Sequence, residues 1–131
     1  MRPSKTIKSA KKKADKVFSE YVRRSASNRN GNCICVSCGK RKHWKELHAG
    51  HWHSRRFLAT RWDERNVHPQ CPYCNTFIEG NKPGYSKYMT EKYSTEVLEE
   101  LSKLAHSSIS LKPCDIDEIT EYYINKLKGL K

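Results

Sequence analysis

The chain has 131 residues, 36% of them hydrophobic and 31% charged, with a formal net charge of +12. That length and composition predict one domain with a small apolar core, for which a metal staple is physically sensible. No apolar stretch approaches the ~20 residues of a membrane helix. The basic N-terminus also lacks the hydrophobic segment of a secretory signal, so a cytoplasmic protein is expected.

The positive charge is uneven. Residues 1–30 carry ten Lys/Arg against Asp15 and Glu20, and residues 31–82 carry nine against four acids. Residues 83–131 are close to neutral, with seven basic side chains against eight acidic ones. So one-sided an excess is the electrostatic footprint of a polyanion partner, foremost nucleic acid. The chain divides into a basic helical arm over 1–30, a cysteine-containing core over 31–84 and a helical segment over 85–131, with possible self-association through the last.

Residues 7–25 read as an amphipathic helix, with Ile7, Ala10, Ala14, Val17, Phe18, Tyr21 and Val22 at three- and four-residue spacing. Lys11, Lys12 and Lys13 crowd its first half and are candidate phosphate contacts. Ser25 to Asn32 is a polar breaker. The core then reads as short strands and turns, with Asn66–Gln70 ending a loop or strand. Pro72 suits the first turn of a helix beginning near Cys71 and ending near Gly80–Gly84. Two further helices are predicted, over 95–105 (Val97, Leu98, Leu101, Leu104, Ala105) and 115–128 (Ile116, Ile119, Tyr123, Leu127). Asp115 with Glu118 resembles a capping box at the start of the second. Their apolar stripes are candidates for dimer contact, so Leu101→Asp is expected to weaken dimerisation and spare metal content.

Cys35-Val-Ser-Cys38 and Cys71-Pro-Tyr-Cys74 are two C-x-x-C knuckles separated by a 32-residue insert. This spacing lets both thiolates of each knuckle point at one ion, and two knuckles complete a four-thiolate Zn²⁺ site. A thioredoxin-like dithiol expects a surrounding βαβ pattern that is missing here, and six cysteines without a signal sequence favour metal over disulfides. Cys33 and Cys114 stand outside the quartet. Four thiolates close the coordination sphere, so the zinc holds structure and cannot activate water. Any chemistry needs a second centre. His51, Asn66 and Asn75, with His48 and His53 close by, are the candidates for it.

Over these residues the chain resembles the zinc-containing HNH (ββα-metal) nucleases. The shared run is Ala49-Gly50-His51, Glu64-Arg65-Asn66-Val67-His68, Gln70-Cys71-Pro72-Tyr73-Cys74-Asn75 and Gly80-Asn81. More closely it resembles the NinG (Rap) family of lambdoid phage recombination endonucleases. The endonuclease VII junction resolvases are similar, closing their motif with C-x-x-C-N. The likeness covers roughly residues 15–130 and is densest over 35–82. It implies an α+β fold: a ββα-metal core stapled by zinc and flanked by an N-terminal basic helix and C-terminal helices. It implies His51 as the general base, Asn66 as the residue holding the histidine's loop through backbone hydrogen bonds, and Asn75 as a ligand of a catalytic Mg²⁺ or Mn²⁺. It implies branched DNA as substrate, such as four-way junctions or D-loops, a homodimer, and a host-cytoplasm location.

Elementary chemistry agrees with those roles. Phosphodiester hydrolysis needs a base near neutral pH and a cation beside the phosphate. The departure is Gly50, which stands where many such enzymes carry an Asp or His metal ligand. His48 and His53, then Asp63 or Glu79, are the candidate replacements; histidine ligands tilt the preference toward Mn²⁺. Arg55, Arg56, Arg61 and Arg65 are candidate phosphate clamps. His68 could buttress the knuckle or serve function. Trp44, Trp52 and Trp62 read as core packing. The rival reading is a non-catalytic zinc module that binds nucleic acid as a recombination accessory. It accounts for the charge and the cysteines but leaves the His51–Asn66–Asn75 set without a role.

Overall fold

The computed structural model describes residues 1–130. Thr6 opens the first helix, α1 (Ile7–Ser25), by accepting a hydrogen bond from the Ser9 amide at 3.1 Å. This satisfies one of the four amides a helix start leaves unpaired. Ala10, Ala14, Phe18 and Val22, four residues apart, form its buried stripe, and the lysines fall to its sides.

Two antiparallel hairpins follow. β1 (Asn32–Ile34) pairs with β2 (Arg41–His43), and the turn between them carries Cys35 and Cys38. β3 (His48–His51) pairs with β4 (Val67–Gln70), with His48 opposite Gln70, Gly50 opposite His68 and His51 opposite Val67. An irregular loop with one 3₁₀ turn at Leu58–Thr60 joins β3 to β4. Beyond Cys71 comes a short helical turn, Tyr73–Phe77, and then α2 (Lys82–Lys92), α3 (Thr95–Ala105) and α4 (Pro113–Lys128). Among the described residues the fold is thus α+β, with two small hairpins among four helices.

The main core lies where α1 and α4 cross the β3–β4 hairpin. Ala10, Ala14, Phe18 and Val22 meet Trp62, Val67, Ile116 and Tyr123 there. Phe18 packs edge-on against Tyr123 at 4.8 Å between ring centroids, an arrangement favoured by ring quadrupoles. Ser4 ties the N-terminus to α4 through two hydrogen bonds to Asp117, both 2.7 Å. A second cluster, Tyr85, Met89 and Leu101, joins α2 to α3. Among the described residues no helix is long and apolar enough to cross a membrane.

Four sequence expectations are corrected. The helix expected from Cys71 to Gly80 shrinks to the Tyr73–Phe77 turn. Where it was expected to end, α2 begins, because Pro83 occupies the first turn, which tolerates proline, and Asn81 caps the helix. Asp115 accepts from the Lys112 amide at 2.8 Å, so α4 starts at Pro113 and Asp115 closes its first turn instead of opening it. Of the apolar stripes offered for dimer contact, Leu101 and Ile116 are fully buried inside the chain. Leu101→Asp therefore reports on folding, not on dimerisation.

Candidate functional site

The first hairpin and the segment after β4 bring Cys35, Cys38, Cys71 and Cys74 together, with all four Sγ atoms within 4.8 Å of one another. Tetrahedral thiolates at about 2.3 Å from an ion stand about 3.8 Å apart. The Cys38–Cys71 sulfur separation is 3.8 Å. The Cys74 amide donates to Cys71 Sγ at 3.4 Å and Asn81 Nδ2 to Cys74 Sγ at 3.3 Å, as thiolates holding a cation require. The quartet could hold a metal such as zinc. Buried Cys33 and exposed Cys114 lie outside it. Asn81 also caps α2 from a left-handed backbone conformation, φ 42°, so the Gly80-Asn81 pair links the metal quartet to the next helix.

Beside the quartet opens a cleft of about 960 Å³. His48, His51, His53 and Asn75 line it, together with Glu79, Arg23, Lys45, Arg55, Lys82 and His106. His51, at the end of β3, is held by the Arg61 backbone: its Nε2 lies 2.9 Å from the Arg61 carbonyl. A carbonyl only accepts, so Nε2 carries the proton and Nδ1 is the basic nitrogen. Burial lowers the His51 pKa, opposed in part by that carbonyl, which favours the neutral ring at pH 7.

Arg61 is fixed in turn from α1. Asp15 accepts from Arg61 Nε at 3.0 Å, from Arg61 Nη2 at 2.5 Å and from Trp62 Nε1 at 3.0 Å. Asn66 is fully buried. It accepts from the His53 amide at 2.8 Å and donates to the His53 and Thr60 carbonyls at 3.0 and 3.1 Å. One side chain thus closes the loop from β3 to β4 at two points.

Asn75, on the short turn after the second knuckle, faces the start of β3. Its Nδ2 lies 3.0 Å from His48 Nδ1. Glu79 lines the same cleft, so an amide oxygen, an imidazole and a carboxylate border it, donor types that suit a divalent ion retaining several waters. Asp63 is not available, because it holds Arg65 at 2.8 and 3.1 Å. Gly50 cannot carry a ligand here. Any Cβ at that position would overlap the Gln70 carboxamide, which is anchored at 2.7 Å to both Ser37 Oγ and the Gly80 carbonyl.

His68 points away from the cleft. Its Nδ1 lies 3.0 Å from Tyr85 Oη and its Nε2 3.0 Å from Tyr93 Oη, and Tyr85 donates to the Gly50 carbonyl at 2.7 Å. Burial, helped by Lys92, pushes its pKa down to about 4. His68 is thus a neutral buried link that fixes β3 next to His51.

The four arginines divide. Arg61 and Arg65 are occupied by carboxylates, Arg65 reaching Glu100 at 3.0 Å as well as Asp63. Arg55 and Arg56 are exposed. Lys12 is exposed, and Lys13 reaches back to the Arg2 carbonyl at 3.0 Å. Trp62 is core, and Trp52 lies in the cleft wall against Tyr85.

Sequence reasoning missed Lys82, Asp15 and His106. Lys82 Nζ donates to the Trp52 carbonyl at 2.6 Å and the His51 carbonyl at 3.4 Å and sits 5.0 Å over the Trp52 ring. Burial lowers its pKa. Nothing in the local sequence marks Lys82. Asp15 stood out only as an acid inside a lysine run.

A protein-family model described as "Bacteriophage Lambda NinG protein" matches residues 2–131. The chain is 27% identical over 126 residues to "Protein ninG" of Salmonella phage P22, covering 92% of this chain and 57% of that protein. It is likewise 27% identical over 127 residues to "Protein ninG" of Escherichia phage lambda, covering 92% of this chain and 56% of the relative. It therefore spans little more than half the length of these curated relatives. No solved structure matches.

Proposed function

The chain belongs to the NinG family, and from that premise we propose that it is a metal-dependent, HNH-type endonuclease that hydrolyses phosphodiester bonds of branched DNA. The observation that carries this reading is His51: a neutral imidazole with its Nε2 fixed on the Arg61 carbonyl, in a cleft rimmed by Arg23, Lys45, Arg55 and Lys82. The β3–β4 hairpin, the helical turn behind it and the Asn66-pinned loop support assignment to the ββα-metal class.

In this reading His51 Nδ1 takes a proton from water as its oxygen bonds to phosphorus. One P–O ester bond breaks, and the leaving oxygen is protonated from solvent. Asn75 and His48 would hold Mg²⁺ or Mn²⁺, which would supply neutralisation of charge on the phosphate. Arg55 and Arg56 contact neighbouring phosphates, and Lys82 holds the His51–Trp52 backbone on which the base depends. Branched recombination intermediates as substrate, a dimer making paired cuts, and action in the host cytoplasm belong to the same proposal.

The test separates binding from cutting. His51→Ala is expected to bind a four-way junction as wild type does and to cut at least ~100-fold more slowly, the scale of a lost general base. A wild type that binds the junction and cuts nothing in either metal favours the accessory-protein reading instead.

A further inference from the structure

His53, His106 and Lys82 come from three different elements and line the same cleft as His51. His53 lies two residues beyond His51, and Asn66 clamps its backbone at both the amide (2.8 Å) and the carbonyl (3.0 Å). The His53 ring itself makes no hydrogen bond among the described residues. His106 caps the end of α3 and brings its ring to 6.2 Å from that of His53, with the planes 82° apart. Its Nδ1 lies 2.8 Å from the Ser102 carbonyl, so that nitrogen carries a proton and Nε2 is left free. Lys82, the first residue of α2, spends two of its three protons on the His51 and Trp52 carbonyls. Its Nζ stands 5.0 Å over the Trp52 ring, which is 6.3 Å from the His53 ring. Phe57 packs 5.0 Å from the His106 ring, and the Arg56 guanidinium lies 4.9 Å over Phe57.

Among the described residues none of His53, His106, Lys82 and Arg56 is ion-paired with a carboxylate. Basic groups gathered in a concave wall with no acid to neutralise them attract an anion. Burial lowers the His53 pKa, and the His106 and Lys82 charges push the same way; an anion between them offsets that push. Two imidazoles also suit a transition ion, and His53 is a metal-ligand candidate by sequence. Its surroundings decide against a cation. The Lys82 ammonium repels one, and among the described residues the cysteine quartet is the only place where three or more His, Cys, Asp or Glu ligand atoms gather. We propose that His53, His106 and Lys82 form a subsite for a backbone phosphate of the bound nucleic acid, next to the phosphate that His51 attacks. The inference rests on the endonuclease reading above and names how the strand is held beside the base. His53 donates a ring N–H, Lys82 its third proton, and His106 donates from Nε2 as an imidazolium, giving charge-assisted hydrogen bonds to the phosphate oxygens.

The experiment follows the imidazole nitrogens of the zinc-loaded full chain by long-range ¹H–¹⁵N correlation spectra. Three additions are made separately at matched ionic strength: a four-way DNA junction, inorganic phosphate, and Mn²⁺ alone. Junction affinity is measured in parallel by fluorescence anisotropy without Mg²⁺ or Mn²⁺, for wild type, His53→Gln, His106→Gln and His106→Lys. The His53 and His106 rings are expected to shift together with junction, with His106 Nε2 moving to its protonated position, and to shift the same way at far higher concentrations of inorganic phosphate. Mn²⁺ is expected to leave both rings sharp. His53→Gln and His106→Gln should each bind junction about ten-fold more weakly, and His106→Lys, which keeps a cation but not an imidazole, should stay within about two-fold of wild type. His106 is exposed, so its variants report on binding and not on folding. Rings that stay unmoved when anisotropy shows the junction bound overturn the subsite and leave the nucleic-acid reading standing. A response to inorganic phosphate with none to junction marks a site for free anions and overturns it too. Broadening of both rings by Mn²⁺ assigns them to a metal ion and likewise overturns it. Wild type that binds no junction overturns the nucleic-acid reading together with this one.

Discussion

Exchanging His68 for glutamine removes one titrating group from a buried network while keeping a polar side chain between Tyr85 and Tyr93. In the folded chain His68 is 5% exposed and its pKa is about 4, against 6.5 for an ordinary histidine. The unfolded chain therefore binds the extra proton between those values and the folded chain does not. Stability contributed by the neutral ring is fully present above pH 6.5 and is lost as pH falls through about 4. At about 1.4 kcal/mol per pH unit between the two values, the whole effect is about 3 kcal/mol, of which about 2 kcal/mol falls between pH 7 and pH 5. The assay is urea unfolding of the metal-loaded chain at both pH values. His68→Gln is expected to be less stable than wild type at pH 7, since Tyr93 or Tyr85 loses a partner. Its further loss on going to pH 5 should be smaller than that of wild type by about 2 kcal/mol. Thiolate protonation and the lowered pKa values of His51 and His53 act in both proteins and cancel in the difference. Equal pH-dependent losses in the two proteins would refute the buried neutral His68.

Asn66→Ala removes a side chain that serves three backbone groups, and it should lower the urea unfolding free energy by about 2–4 kcal/mol. Arg61→Ala removes two of the hydrogen bonds to Asp15, leaving that of Trp62, and should destabilise by about 1–3 kcal/mol while leaving the salt dependence of DNA binding unchanged. Arg55→Ala/Arg56→Ala should leave stability unchanged and reduce the slope of log affinity against log salt by about 2, as measured by fluorescence anisotropy. Chelation of the metal, or Cys74→Ser, should abolish cooperative unfolding of the segment from β1 to the Tyr73–Phe77 turn; hydrogen exchange of those amides reads this out.

What the sequence made legible was what repeats locally. The stripe Ala10–Ala14–Phe18–Val22 gave α1 its bounds, Thr95–Ala105 formed as expected, and the knuckle spacing placed four sulfurs together. α2 was missed because Pro83 and Gly84 look like breakers. Proline is harmless in a first turn, and glycine is needed at 84 because a Cβ would strike the Ser37 carbonyl. Arg61 looked available for phosphate because its partner Asp15 lies 46 residues away in the chain; Arg65 is held by Asp63, two residues away, as well as by Glu100, 35 residues away. Gly50 looked like a missing ligand until the Gln70 side chain was seen to occupy its space.

The most direct measurement of the central claim is the cleavage pattern of an end-labelled four-way junction and its matched linear duplex, with Mg²⁺, with Mn²⁺ and with neither, by wild type and His51→Ala side by side. Cuts clustered at the branch, dependent on the added ion and missing with His51→Ala, are the predicted result. Cuts by His51→Ala at the wild-type rate would contradict the assignment of the base. Wild type that leaves the junction uncut in every condition would contradict the endonuclease itself.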